Sequence, residues 1–139
     1  MDANILIAAF LRDSTVRRII TFAGLQLFAP EVILDEFEEH RREMAQRIGL
    51  GSEEAQALLD RLRLHLPVVP SGVVSEKLPE AKELMRDIDP DDALYLAAAL
   101  SVECDGIWSD DPHLKRQDVV SCFTTRELVE ALRADGVRF

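Results

Sequence analysis

The sequence predicts an α/β domain, a mostly parallel central sheet covered on both faces by helices in a three-layer α/β/α arrangement. Three observations carry that reading. Segments with helical apolar spacing alternate with short apolar runs of strand length along the whole chain. Strands separated by helices imply parallel pairing, with both faces of the sheet buried. The chain has 139 residues, 47% of them apolar, which is one domain's worth of protein and enough for a core without disulfide or metal staples. The expected organisation is therefore a single domain over residues 1–139.

The elements follow in order. Ala3 to about Arg12 reads as a helix and Ser14 to Ala23 as a second, ended by Gly24. Leu25–Ala29 is a short apolar run and reads as a strand. Pro30 starts a long helix with Ile33, Phe37, Met44 and Ile48 at helical spacing, broken by Gly49-Leu50-Gly51. Ser52 is the expected N-cap of the next helix, with Glu53 and Glu54 in its first turn and Leu58, Leu59 and Leu62 on one face. Pro67-Val68-Val69-Pro70 is extended, and a short helix runs from about Pro79 to Arg86. Asp89-Pro90 opens a helix whose inner part, Ala93–Leu100, is almost wholly apolar and so predicted to be buried. Gly106-Ile107-Trp108 and Val119–Phe123 are strands, and Thr124 to Glu127 has capping-box spacing before a last helix with Leu128, Val129 and Leu132 inward.

Composition narrows the function. No basic segment precedes the apolar run Ile5–Phe10, which is too short to span a bilayer, so a cytoplasmic protein without a membrane partner is expected. Cys104 and Cys122 match no metal or redox spacing and read as buried small apolar residues. The net charge of −10 argues against strong non-specific nucleic-acid binding. It does not argue against a nuclease, because metal sites in nucleases are themselves built from acids.

Several carboxylates fall where strands end or helices begin. These are Asp2, Glu36, Asp91 and Asp92, and Asp110 and Asp111. In a parallel sheet such positions converge on the edge formed by the carboxyl ends of the strands. Each has a plainer explanation taken singly. Asp2, Asp89, Asp91 and Asp92 suit helix caps, Asp110 and Asp111 suit a loop before Pro112, and Glu36 sits in an acidic run that faces solvent. The functional argument rests on their conjunction.

Four segments together resemble the motifs of the PIN-domain family, in order and over nearly the whole chain. Asp2-Ala3-Asn4-Ile5-Leu6-Ile7 is similar to its opening motif, in which an Asp ends the first strand and an Asn follows two residues later. Pro30-Glu31-Val32-Ile33-Leu34-Asp35-Glu36-Phe37 is similar to the second, with Glu36 at the acidic position. Asp89-Pro90-Asp91-Asp92-Ala93-Leu94-Tyr95 resembles the third, where the Asp directly before the Ala is the expected ligand, here Asp92. Trp108-Ser109-Asp110-Asp111-Pro112-His113 resembles the fourth, and the Ser-to-acid spacing selects Asp111 over Asp110. The ending Thr124-Thr125-Arg126-Glu127-Leu128 is similar to one branch of the family.

The resemblance implies a metal-dependent endoribonuclease, similar to VapC-type toxins, with RNA as substrate. A cognate antitoxin and a homodimer are the implied partners. Clustered carboxylates repel one another unless a cation neutralises them, and hard oxygen ligands select Mg²⁺ or Mn²⁺. Asp2, Asp92 and Asp111 are accordingly assigned as ligands, and Glu36 as a ligand or a positioner of water. Asn4 and Ser109 are assigned to orient them by hydrogen bonds, with Asp91 and Asp110 in reserve. His113 reads as a surface or capping residue with a phosphate contact as its functional alternative. Arg41, Arg42, Arg47, Arg61 and Arg63 read either as an RNA track or as a solvated face. One departure stands out: the family's first strand precedes the first Asp, and only Met1 precedes Asp2, so that strand reads as truncated or missing. The alternative function is a weakly active or inactive scaffold that binds RNA or a protein partner.

Overall fold

The computed structural model describes residues 1–9 and 14–139. Side-chain caps account for three of the α-helix starts among the described residues. Asp2 accepts the Ile5 N–H and caps α1 (Ala3–Ala8), and Ser14 accepts the Arg17 N–H and caps α2 (Thr15–Phe22). The stretch from Phe10 to Asp13, into which the first helix was expected to run, lies outside the described residues. A short strand β1 (Ala29–Pro30) leads directly into α3 (Glu31–Glu39). The strand expected over Leu25–Ala29 is thus confined to its last residue and Pro30, while 25–28 carry no regular assignment.

The expected single helix from Pro30 to Ile48 is two helices, α3 and α4 (Arg41–Ile48), meeting at His40. The backbone leaves helical values there (φ −100°, ψ 17°), and Arg41 can then pair with Glu38 and with Gln56 of the next helix. Gly49 ends α4 in the left-handed conformation (φ 76°) that a Cβ would strain. α5 (Ser52–Arg63) begins at its expected cap, one residue earlier than predicted: Gly51 holds the cap position and Ser52 is already helical. After β2 (Val68–Val69), α6 runs from Ser71 to Met85, well beyond the short helix expected from Pro79. Pro79 lies inside it. Proline in a helix interior costs about 3 kcal/mol, and here α6 packs along α7 (Ala93–Ser101), burying Val74, Ala81 and Met85 against Ala93, Leu96 and Ala97. Tertiary packing offsets the local penalty, which sequence pattern alone does not register.

The chain ends with β3 (Ile107–Trp108), β4 (Cys122–Phe123) and α8 (Thr125–Ala134). α8 opens on a complete capping box between Thr124 and Glu127. Pairing is parallel, β1 with β2 and β3 with β4, as expected for an α/β chain. The described strands form two separate two-stranded sheets instead of one central sheet. Met1 and Asp2 lie between them: Met1 N donates to Phe28 O (3.1 Å) and Asp2 N to Trp108 O (3.3 Å).

Two apolar clusters form the core. One gathers α1, α2, α3 and α5 with Trp108 and Leu132, the other gathers α6 and α7 with Ile107, and Leu94 and Tyr95 pack against both. The cysteines depart from expectation. Cys104 is exposed in the loop before β3, and Cys122 is half-buried as the first residue of β4. Among the described residues no helix is long and apolar enough to cross a membrane.

Candidate metal centre

Asp89, Asp92, Asp111 and His113 converge where α7 begins and β3 ends. Each offers a ligand atom, and these atoms lie within 4.8 Å of one another. The local sequence explains the convergence. Asp89 caps a single 3₁₀ turn, Pro90–Asp92, by accepting the Asp91 N–H at 3.1 Å. Residues three apart eclipse in such a turn, so Asp89 and Asp92 share one side of it. Asp111 follows the end of β3 by three residues, and its N–H donates to Ser109 Oγ at 3.0 Å. Its carboxylate accepts the His113 N–H at 2.9 Å. His113 Nδ1 lies 3.1 Å from Asp89 and 3.3 Å from Asp111, so the imidazole sits between the two acids.

The electrostatics are those of crowded carboxylates. Burial pushes the Asp92 carboxyl up to about 7, helped by a proton shared with Asp111 and by the charges of Asp111, Asp89 and Asp2. Asp111 is held below its usual range, chiefly by the His113 N–H. Asp92 is 8% exposed, and its Oδ2 is buried with no donor among the described residues. A buried carboxylate oxygen without a donor is costly. The donor set of three carboxylates and one imidazole fits a divalent cation that prefers oxygen, and the undonated oxygen of Asp92 is the atom such an ion would satisfy.

The other sequence-derived candidates fall in different places. Asp2 is buried and outside this cluster. Its Oδ1 accepts the Ile5 N–H at 3.0 Å and its Oδ2 accepts the Ser109 hydroxyl. Ser109, fully buried, therefore ties Asp2 to the Asp111 backbone, and Asp2 adds negative charge behind Asp92. Glu36 is exposed on α3 and not a member of the cluster. Its charge reaches Tyr95, whose hydroxyl is pushed up first by burial and then by Asp2, Asp92 and Glu36. Tyr95 Oη accepts the Ala3 N–H (3.3 Å), which places it between α1 and the acids. Asn4 is exposed in the first turn of α1, without a hydrogen bond to these acids among the described residues. Asp91 points to solvent. Asp110 accepts the N–H and hydroxyl of Thr125 at 2.7 and 2.9 Å, a capping role at α8.

Asp89 and His113 are the members that sequence reasoning left outside the site. The signal was present in both cases: Asp89 stands three residues before Asp92, and His113 two after Asp111. Among the arginines, Arg41 and Arg63 are engaged by Glu38, while Arg42, Arg47 and Arg61 are exposed.

The family model described as a PIN domain matches residues 1–133 of the 139. No curated protein and no solved structure matches the chain.

Proposed function

The chain belongs to the PIN-domain family, and from that premise and the carboxylate cluster we propose that it is a metal-dependent nuclease that hydrolyses RNA phosphodiester bonds. The observation that carries the reading is the buried, undonated Oδ2 of Asp92 in a group that also contains Asp89, Asp111 and His113. Asp92 and Asp111 would hold the ion, with Asp89 as a further oxygen donor and Mg²⁺ or Mn²⁺ favoured by the oxygen-rich set. When bound, such an ion stabilises charge on the phosphodiester and makes water a stronger acid.

The remaining groups prepare the site. Ser109 holds the Asp2 carboxylate and the Asp111 backbone in one arrangement, so both acids are preorganised. Asp2 acts in this reading as a charge that favours cation binding, with direct ligation open to it once an ion draws the acids together. Glu36, on the exposed side, would orient water or substrate. His113 bridges Asp89 and Asp111 in the free protein and would be released toward a phosphate on metal binding. Direct attack of water at phosphorus leaves a 5′-phosphate and a 3′-hydroxyl. A role as the toxin of a toxin–antitoxin pair and assembly as a homodimer extend the proposal. Sedimentation as a monomer at micromolar concentration would count against the dimer.

The test uses single-stranded RNA with Mg²⁺ or Mn²⁺ and a parallel calorimetric titration of Mn²⁺. Expected are cleavage that EDTA abolishes and Mn²⁺ binding that Asp92→Asn weakens by about tenfold or more, a change of at least ~1.4 kcal/mol. Cleavage that persists in EDTA, or Mn²⁺ affinity unchanged in Asp92→Asn, would remove the basis of the proposal.

A further inference from the structure

Tyr95 stands three residues after Asp92, on the same face of α7. Its ring packs against both core clusters, which fixes where the hydroxyl falls. There Oη accepts the Ala3 N–H at 3.3 Å. Asp2 caps α1 through the Ile5 N–H, so the first N–H of the helix is left to Tyr95. The hydroxyl is thereby held beside the residue that follows Asp2.

A phenol has one proton to donate and lone pairs with which to accept. Ala3 uses the accepting side, and the proton has no acceptor among the described residues. Both oxygens of Asp2 are engaged by other donors, the Ile5 N–H and the Ser109 hydroxyl. Oδ2 of Asp92 has no donor among the described residues. The charges of Asp2, Asp92 and Glu36 nevertheless all reach this hydroxyl. Burial and those acids push it above its ordinary range, so it keeps its proton at neutral pH. A half-buried O–H that faces three acids and bonds to none of them has a donor to spare for a ligand.

The charge around it identifies the ligand. Among the described residues, no Lys or Arg acts on Asp92, Asp111 or Tyr95; the basic side chain there is His113, on the Asp89 and Asp111 side. An RNA phosphate brought to these acids carries oxygens that need hydrogen-bond donors. A Lys or Arg beside Asp2 would pair with the carboxylates and weaken their hold on a cation. A neutral hydroxyl donates without competing for that charge.

We propose that Tyr95 is a substrate-contacting residue whose hydroxyl, held by the Ala3 N–H, donates to a non-bridging phosphate oxygen of single-stranded RNA on the Asp2 and Glu36 side of the acid cluster. The inference rests on the nuclease reading and adds a substrate contact to it. Such a bond forms with the bound RNA before reaction as well as during it, so its loss falls on KM more than on kcat.

Tyr95 is the sole tyrosine, so tyrosine isotope-labelled at Cζ gives one carbon resonance that reports on this hydroxyl. The probe is single-stranded RNA of randomised sequence, with cleavage followed in Mn²⁺ and binding followed by anisotropy in Ca²⁺. The resonance should shift saturably when RNA is added to the protein in Ca²⁺, and not with Ca²⁺ alone. Tyr95→Phe keeps the ring and removes the donor. It should lower kcat/KM by about tenfold or more, keep kcat within about threefold of wild type, and weaken RNA binding by about tenfold. Its Mn²⁺ affinity without RNA should equal that of wild type. Tyr95→Phe with wild-type kcat/KM and RNA affinity overturns the proposal. So does Mn²⁺ affinity that falls as far as RNA affinity, which would make the hydroxyl a brace for the acids. A double variant Tyr95→Phe, Glu36→Gln no weaker on RNA than Glu36→Gln alone also overturns it, because Tyr95 would then act through Glu36. Failure of the nuclease reading looks different: wild type binds RNA without cutting it, or cuts it in EDTA, and the RNA affinity of Tyr95→Phe still decides the contact. Wild type that neither binds nor cuts RNA overturns both. Should Tyr95→Phe fail to fold, the wild-type resonance decides alone.

Discussion

Replacing Asp92 by Asn should make the metal-free protein more stable at neutral pH, although it removes a residue the proposed activity needs. The Asp92 carboxyl is pushed up to about 7 from an ordinary 3.8. A group whose folded pKa is raised binds its proton more tightly in the native state. Its favourable contribution is complete below the unfolded pKa and is lost as pH rises through the folded one. The window therefore runs from about pH 4 to pH 7. Taken at face value the shift is worth about 4 kcal/mol. Shared titration with Asp111 and solvent at the cleft reduce this to roughly 2 kcal/mol. Urea denaturation in EDTA from pH 4.5 to 8 measures it. Wild type should lose stability relative to Asp92→Asn across that range, the two should converge near the acid end, and Mn²⁺ should restore wild type alone. A wild-type minus variant difference that stays flat, or rises with pH, would refute the argument that burial and neighbouring acids strain Asp92.

Other substitutions separate the roles of neighbouring residues. Asp111→Asn should lower RNA cleavage by about a hundredfold or more, whereas Asp110→Asn should mainly lower stability by ~1 kcal/mol through its lost cap on Thr125. Equal rate losses in the two, corrected for folded fraction, would show that the acids had been assigned in the wrong order. Ser109→Ala should cost about 1–3 kcal/mol, because the buried Oδ2 of Asp2 loses its donor. It should also weaken Mn²⁺ binding, which calorimetry would detect. Gly106→Ala should destabilise by ~2 kcal/mol or more, since a Cβ there would lie 2.6 Å from Ser121 O and 2.6 Å from the Phe123 ring. A melting temperature within a degree of wild type would contradict that contact.

The sequence by itself determined the elements whose signals are local. The cap at Asp2, the helix between Ser14 and Ala23, the stop at Gly24, the apolar helix after Asp89 and the capping box at Thr124 depend on residues close along the chain, and the structure has them all. The acids of the third and fourth motifs were legible for the same reason, since each stands at a strand end or a helix start. Tertiary structure decided the rest. It carried α6 through Pro79 by packing on α7, and it broke the helix at His40 where Arg41 meets Glu38 and Gln56. It drew Asp89 and His113 into the acid cluster, set Asp2 behind Ser109, and left Glu36 at the surface. It also split the described strands into two pairs where one sheet was expected, with Met1 and Asp2 hydrogen-bonded between them. Caps and periodicity are energies of neighbours along the chain. Which carboxylates meet, and which strands pair, depends on contacts between segments more than a hundred residues apart, as between Asp2 and Ser109, and no local pattern encodes their distance.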